Sequence, residues 1–248
     1  MTEDIPTNLP QHIAFIPDGN RRWARAHGLP LHEGHLKGHE AMMNLAKDIS
    51  RLDIKYFTIW YFSTETWTRA KEKGGYIIDI ALEKIDETGQ KLIEEEIGFR
   101  HLGRRDRIPK KLASKFTELE QATAKFDKHY LNLAFDYGGR EEIVHAVKEI
   151  IKEGYGELDI TEDLISSHLY TKDIPDPDLI IRTSGEKRLS GYLPWQGVYS
   201  ELYFADVHCP DFNFDELKKA LWDYSKRERR KGGDSSQQSG KVTPDPVK

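Results

Sequence analysis

Short runs of β-branched and aromatic residues alternate along this chain with longer stretches whose apolar residues recur at helical spacing. No other feature restricts the fold as much. Strands separated by helical crossovers pair in parallel, and a parallel sheet needs cover on both faces. Strands are predicted over Gln11–Pro17 (QHIAFIP), Lys55–Phe62 (KYFTIWYF), Phe99–Leu102, Tyr130–Phe135, Asp178–Arg182 (DLIIR) and Glu201–Phe204. Helices are predicted over Asn20–His27, His35–Leu52, Gly75–Ile97, Pro109–Phe126, Glu141–Ile151 and Thr161–Tyr170, and from Phe214 to about Arg229. Met42, Leu45, Ala46, Ile49 and Leu52 line one face of the second helix, and Ile78, Ala81, Leu82 and Ile85 one face of the third. The fold class is therefore α/β: a single domain with a largely parallel central sheet flanked by helices. Ligands of such sheets gather beyond the carboxyl ends of the strands.

The 248 residues suit one domain, and 38% hydrophobic content supplies a core. Residues 11–231 form that domain, 1–10 an N-terminal extension, and 232–248 a polar, proline-punctuated tail read as disordered. Apolar runs such as Tyr56–Phe62 are far too short to span a bilayer. The opening residues have neither the basic nor the apolar region of a secretory signal, and the lone Cys209 excludes an internal disulfide framework. A cytoplasmic location is the expectation, with at most peripheral membrane contact. The net charge of −5 argues against nucleic acid as a partner.

Three polar clusters follow predicted strands. The first is Pro17-Asp18-Gly19-Asn20-Arg21-Arg22-Trp23: a carboxylate leaves a strand, glycine permits a turn, and a helix begins. Free helix N–H groups with two arginines make a diphosphate cradle. A carboxylate there would repel diphosphate unless a cation lay between, so Asp18 points to Mg²⁺, which is commonly held by one or two carboxylates plus phosphate oxygens. His35, after Gly34, offers a further phosphate hydrogen bond. The second cluster supplies hydroxyls (Ser63, Thr64), a carboxylate (Glu65), an aromatic spacer (Trp67) and Arg69. The third, Arg182 to Ser190, sets Arg182, Arg188, Leu189 and Ser190 around a glycine turn as a second anion site, and Glu201 beyond it is a distant candidate for a second metal ligand. Nucleotide-binding loops of the G-x-x-x-x-G-K-[ST] and G-x-G-x-x-G types do not occur, nor does Asp-Asp-x-x-Asp. Two anion sites and a metal carboxylate suit chemistry between two diphosphates.

The blocks HIAFIPDGNRRWAR, EGH, YFSTETWTR, DYGGR, DLIIRTSGEKRLS, LPWQ, SELYF and RERRKGG occur in an order that resembles cis-prenyltransferases of the undecaprenyl diphosphate synthase type, over roughly residues 11 to 233. The resemblance implies a parallel α/β fold with a hydrophobic tunnel, Mg²⁺ as cofactor, and a homodimer or heterodimer. It implies isopentenyl diphosphate and an allylic prenyl diphosphate as substrates and a polyprenyl diphosphate as product. Asp18 matches the catalytic, magnesium-engaging aspartate and Glu201 a magnesium ligand. Gly19, Asn20, Arg21, Arg22, Trp23 and His35 match the allylic-substrate loop. Ser63, Glu65, Trp67 and Arg69, with Thr64 among them, match the segment that closes over the substrates. Arg182, Arg188 and Ser190, with Leu189 between, match the isopentenyl diphosphate site. Arg230-Lys231-Gly232 resembles an element that reaches a neighbouring subunit's site.

The chain departs from the family pattern at Thr66, where Asn is usual and proton removal is often placed. It departs also at Pro17 for Met, Asp136 for Asn, and Leu31 for a basic residue. Tyr61 replaces a small residue facing the tunnel, which is expected between the sheet and the Tyr76–Ile97 helix, and so predicts a short or medium-chain product. The alternative reading is a non-catalytic partner subunit, but such subunits typically lack the aspartate and substrate arginines present here.

Overall fold

A computed structural model describes residues 5–67 and 75–229. Arg69, the Arg230–Gly232 element and the tail 232–248 lie outside the described residues. Among the described residues six strands form: β1 His12–Ile16, β2 Tyr56–Ser63, β3 Ile97–Leu102, β4 His129–Tyr137, β5 Leu179–Arg182 and β6 Glu201–Phe204. They make one sheet in the order β3-β4-β2-β1-β5-β6, every neighbouring pair parallel. The helices are α1 Asn20–Ala26, α2 Leu31–Ser50, α3 Gly75–Glu94, α4 Lys110–Thr123, α5 Gly139–Lys152, α6 Glu162–Ser166 and α7 Phe214–Ser225.

β1 is buried along its whole length and fixes the register on both sides: Phe15 stands level with Ile59 on β2 and Ile181 on β5. One face of the sheet packs through Phe15, Ile59, Phe99 and Leu131 against Met42, Leu45, Ile85, Phe116 and Leu221. The other packs through Ala14, Ala134 and Ile180 onto Tyr137, Tyr192 and Leu193.

Three helix boundaries differ from expectation by about four residues. α2 starts at Leu31, just after Pro30 (φ −56°, ψ 149°), because Gly34 is a close-approach residue inside the helix: a Cβ there would lie 2.1 Å from the Asn20 carbonyl oxygen. α6 ends at Ser166, where the Ser167 hydroxyl donates to the Leu164 carbonyl (2.8 Å) and competes for the helical acceptors. α7 ends at Ser225, and Arg227 turns back to donate to the Leu202 carbonyl (3.0 Å) on β6.

Candidate active site

Beyond Ile16 the chain turns sharply, and Asp18 is fastened to the neighbouring strand end by one hydroxyl. Thr183 Oγ1 accepts from the Asp18 N–H (2.8 Å) and donates to the Asp18 carbonyl (2.7 Å). Gly19 follows at φ +97°, and a Cβ on it would fall 2.5 Å from Ser184 Oγ and 2.6 Å from His208 Nδ1. Only glycine fits that conformation and that space. α1 starts at the next residue, as the first cluster requires.

The Asp18 carboxylate lies between two guanidinium groups. Arg182 Nη2 donates to Oδ2 (2.8 Å), and Arg22 Nη2 donates to Oδ1 (3.0 Å). Burial alone would raise its pKa, but Arg182 and then Arg22 outweigh that and hold the carboxyl below its ordinary range, so Asp18 is ionised at neutral pH. Arg182 is itself buried, and its Nη1 donates to the Arg188 carbonyl and to Ser190 Oγ (2.9 Å). The β5–β6 loop is contorted, with Ser184, Gly185, Ser190, Gly191 and Leu193 all at positive φ. Arg182 thus sets the loop that carries Arg188 and Ser190, while Leu189 packs on the second core. Arg22 also donates from Nη1 to Glu186 Oε1 (2.9 Å), and Arg188 pairs with the other Glu186 oxygen. Neither Thr183 nor Glu186 was among the predicted site residues, although both lie inside the quoted RTSGEKR block.

Ser63 ends β2 at the same edge of the sheet, and its hydroxyl meets that of Thr66 (2.8 Å). Thr64 N–H donates to the Tyr137 carbonyl (3.0 Å), and Trp67 packs edge-on against Phe62. Arg107 stands over the Trp67 ring (5.8 Å) and pairs with the buried Asp136. That pairing gives the Asp at 136 a partner that an uncharged Asn would hold less strongly. Glu65 is exposed beside this segment. His35 is desolvated and faces Arg21, which together lower its pKa to about 4; its Nε2 lies 3.5 Å from Tyr76 Oη. Trp23 turns from the cradle: its indole N–H donates to Asp211 (2.8 Å) and its ring stacks on His27.

Among the described residues, ten buried side-chain nitrogen or oxygen atoms have no partner, and five belong to these clusters: Asn20 Oδ1, Arg21 Nε, Thr64 Oγ1, Trp67 Nε1 and Arg182 Nε. Buried polar groups are normally satisfied, so three orphaned donors concentrated here mark a place built to receive an acceptor-rich ligand. Also among the described residues, no group of three His, Cys, Asp or Glu side chains could hold a metal ion. Asp18 is a hard, ionised ligand, which fits an Mg²⁺ whose other ligands are phosphate oxygens and water.

Glu201 is not brought to Asp18. It opens β6 level with Leu179 and Ile13, whereas Asp18 follows Ile16, which is level with Phe204. That separates the two by about 10 Å along the strands and about 10 Å across two strand spacings. Glu201 instead accepts from Arg227 Nη1 (2.7 Å). Strand direction alone implies this, since the first residue of a parallel strand lies at the edge opposite the ligands.

An apolar crevice of about 20 Å³ runs between the sheet and helices α2 and α3, walled by Met43, Ala81, Ile85, Phe99, Phe116 and Leu131. Tyr61 Oη lies 3.1 Å from His39 Nδ1, and His39 Nε2 lies 3.3 Å from Thr88 Oγ1, so a polar brace ties β2 to α2 and α3 across it. Burial lowers the His39 pKa to about 4, keeping the ring neutral. Beyond the brace, a cavity of about 190 Å³ opens between α2 and α3, lined by Met43, Lys47, Thr88, Lys91 and Glu95. His39 was legible as buried, since it precedes Met42 by three residues on the apolar face of α2.

A family model described as putative undecaprenyl diphosphate synthase matches residues 16–232. An isoprenyl transferase of Thermotoga maritima is 47% identical over 227 residues, covering 91% of this chain and 97% of that one. One from Fusobacterium nucleatum is 44% identical, with the same coverage of both chains. Among solved structures, lavandulyl diphosphate synthase from Lavandula x intermedia, in complex with dimethylallyl diphosphate, superposes with a TM-score of 0.84 at 32% identity, over 89% of this chain and 97% of that one. A probable undecaprenyl diphosphate synthase from Campylobacter jejuni gives 0.76 at 29% identity, over 91% and 100%. With near-complete coverage and the DGN-x-RWA and IRT-x-GE-x-R-x-S blocks converging on one edge of the sheet, this chain belongs to the undecaprenyl diphosphate synthase family of isoprenyl transferases.

Proposed function

We propose that this enzyme condenses isopentenyl diphosphate onto an allylic prenyl diphosphate at the Asp18 edge of the sheet, with Mg²⁺ as cofactor. The observation that carries the reading is one ionised carboxylate held between two arginines, with orphaned donors in the clusters that follow β1, β2 and β5. The allylic diphosphate sits on Gly19–Trp23, with Arg21, Arg22 and the free N–H groups of α1 taking its charge; His35, neutral, donates one further hydrogen bond. Ser63, Thr64, Glu65, Trp67 and Arg69 form the segment over the reacting ends. Arg182, Arg188 and Ser190 hold isopentenyl diphosphate. The double bond of isopentenyl diphosphate attacks the allylic carbon as its bond to diphosphate oxygen breaks; loss of a proton then leaves a cis double bond. The arginines and loop amides stabilise the negative charge growing on the departing diphosphate. Holding both diphosphates on one rigid edge makes the encounter local. Bound Mg²⁺, engaged by Asp18, would supply charge neutralisation between that carboxylate and the phosphates. The dimethylallyl diphosphate bound by the lavender relative supports an allylic diphosphate as one substrate. Purified protein given labelled isopentenyl diphosphate, an allylic starter and Mg²⁺ is expected to make a polyprenyl diphosphate, to stop with a chelator, and to resume on adding Mg²⁺. Full activity without divalent cation would remove Mg²⁺ from the reading.

The enzyme is proposed to act as a cytoplasmic homodimer. Among the described residues no helix is long and apolar enough to cross a membrane. Val144, Val147 and Ile151 form an exposed apolar stripe on α5, a surface suited to a second copy. Glu201 cannot join its own Asp18, and Arg229 Nη1 donates to Asp178 (2.7 Å), so the chain entering the Arg230–Gly232 element runs along Glu201's edge of the sheet. Both groups are proposed to complete the neighbour's site. Mixing Asp18→Asn with Glu201→Gln subunits then creates one intact site per mixed dimer, and roughly a quarter of the parental rate should return. No recovery on mixing would place Glu201 outside the partner's site.

A further inference from the structure

Glu186 is an acidic residue inside a site assembled to bind two anions, and it needs a physical reason to be there. Its carboxylate faces diphosphate-binding arginines, so on charge alone it weakens substrate binding. Its bonds point to the reason. Oε1 accepts from Arg22 Nη1 (2.9 Å), and Oε2 accepts from Arg188 Nη1. Arg22 extends from α1 and Arg188 from the β5–β6 loop, and both side chains are otherwise largely exposed, at 41% and 59%. Glu186 is held in turn by a local backbone turn, next to Gly185 at φ +70°. The links close a circuit of alternating charge: Arg182, Asp18, Arg22, Glu186, Arg188, and back to Arg182 through the Arg188 carbonyl. Asp18 is the inner carboxylate of this circuit and Glu186 the outer one.

We infer that Glu186 is a positioning residue that fixes Arg22 and Arg188 in one arrangement and so ties the two diphosphate sites together. This rests on the assignment of Arg22 to the allylic diphosphate and Arg188 to isopentenyl diphosphate. A long, exposed arginine samples many rotamers, and a fork fixed beforehand loses less freedom when the phosphate arrives. One carboxylate serving both arginines means that its loss is felt in both sites at once. A contact serving the loop alone would be felt in one. Arg188, and after it Arg22, hold the Glu186 carboxyl below the usual range, consistent with a permanently charged bridge.

The test uses the full chain with Glu186→Ala and Glu186→Gln, measuring KM for each substrate separately, kcat and Tm. Because Glu186 lies at the surface edge of the loop, Tm is expected to stay at the parental value. KM for both substrates is expected to rise roughly tenfold in Glu186→Ala, the size of one lost charge-assisted hydrogen bond, with kcat changed less. Glu186→Gln keeps one acceptor oxygen and should recover part of the loss. Adding Glu186→Ala to Arg188→Ala should leave KM for isopentenyl diphosphate nearly where Arg188→Ala alone puts it, while still raising KM for the allylic diphosphate. Calorimetric titration with inorganic diphosphate reads the same contact without turnover and should show a weaker affinity in Glu186→Ala. A rise confined to one substrate, unchanged KM values, or tighter diphosphate binding in the variant would each overturn the inference. Parental protein whose diphosphate affinity depends on Glu186 but that condenses nothing would instead overturn the proposed reaction.

Discussion

Replacing Asp18 by Asn is expected to lower turnover about a hundredfold or more, while Arg182 keeps an acceptor oxygen and the site keeps its shape. Asp18→Ala should lose at least as much activity and also some stability. Arg182 is 5% exposed, and removing the carboxylate leaves a buried guanidinium with only Ser190 and the Arg188 carbonyl as partners. Breaking a buried pair from one side costs several kcal/mol when fully desolvated; with Asp18 itself 27% exposed, about 1–2 kcal/mol is the reasonable scale. The measurement is kcat at saturating substrate alongside Tm for both variants. Near-parental kcat in Asp18→Asn would show that the ionised carboxylate is not needed. Activity lost only in parallel with Tm would make Asp18 a structural residue.

Tyr61→Ala is expected to shift the product distribution to longer chains by several five-carbon units. The crevice of about 20 Å³ has room for one water molecule and none for an isoprene unit, whereas about 190 Å³ lies beyond the brace. A growing chain must therefore displace the Tyr61 ring or stop against it, and forcing a close-packed interior typically costs 1–3 kcal/mol. Tyr61 also stacks on Phe135 (5.8 Å), so truncation should lower stability by roughly 2–4 kcal/mol. Two near-isosteric variants separate bulk from bonding. Tyr61→Phe removes the bond to His39 and keeps the ring; Thr88→Val frees the far side of His39. If ring volume is the stop, both variants leave product length as it was and only Tyr61→Ala extends it. Product length unchanged in Tyr61→Ala, or a parental enzyme that already makes eleven-unit chains, would exclude Tyr61 as the stop.

Much of this was legible before the structure, for identifiable reasons. All six strands form within two residues of expectation, because each is a short β-forming run closed by a turn and none depends on a distant partner for its identity. Asp18 and Arg182 meet because each lies at a strand's carboxyl end, and parallel pairing brings those ends together; Arg22 and Ser190 follow those ends and return to bond with them. Glu201, read as a distant second metal ligand, opens β6 at the far edge of the sheet, a place its position at the start of a parallel strand already implied. The Arg107–Asp136 pair, the Tyr61–His39–Thr88 brace and the Thr183 clamp join residues from separate elements, with side-chain directions that periodicity does not give. Gly34 was read as a helix start, although its real constraint is the Asn20 carbonyl of another helix.

The near-closed crevice also bears on how this enzyme selects its starter. With α2 and α3 tied to β2 through His39, the hydrocarbon of an allylic substrate has little space until that brace opens. Apparent affinity is the intrinsic affinity multiplied by the fraction of molecules already open, so every starter meets the same opening free energy whatever its length. A two- or three-unit starter sets more buried CH₂ groups, each worth about 0.8 kcal/mol, against that fixed cost than a one-unit starter does. Because that cost is common to all starters, it weakens each by the same factor, and preference among them follows from the buried hydrocarbon and not from the diphosphate cradle, which contacts the same headgroup in each. Loosening the helices should lower KM for short and long starters by a similar factor without changing the enzyme's affinity for inorganic diphosphate.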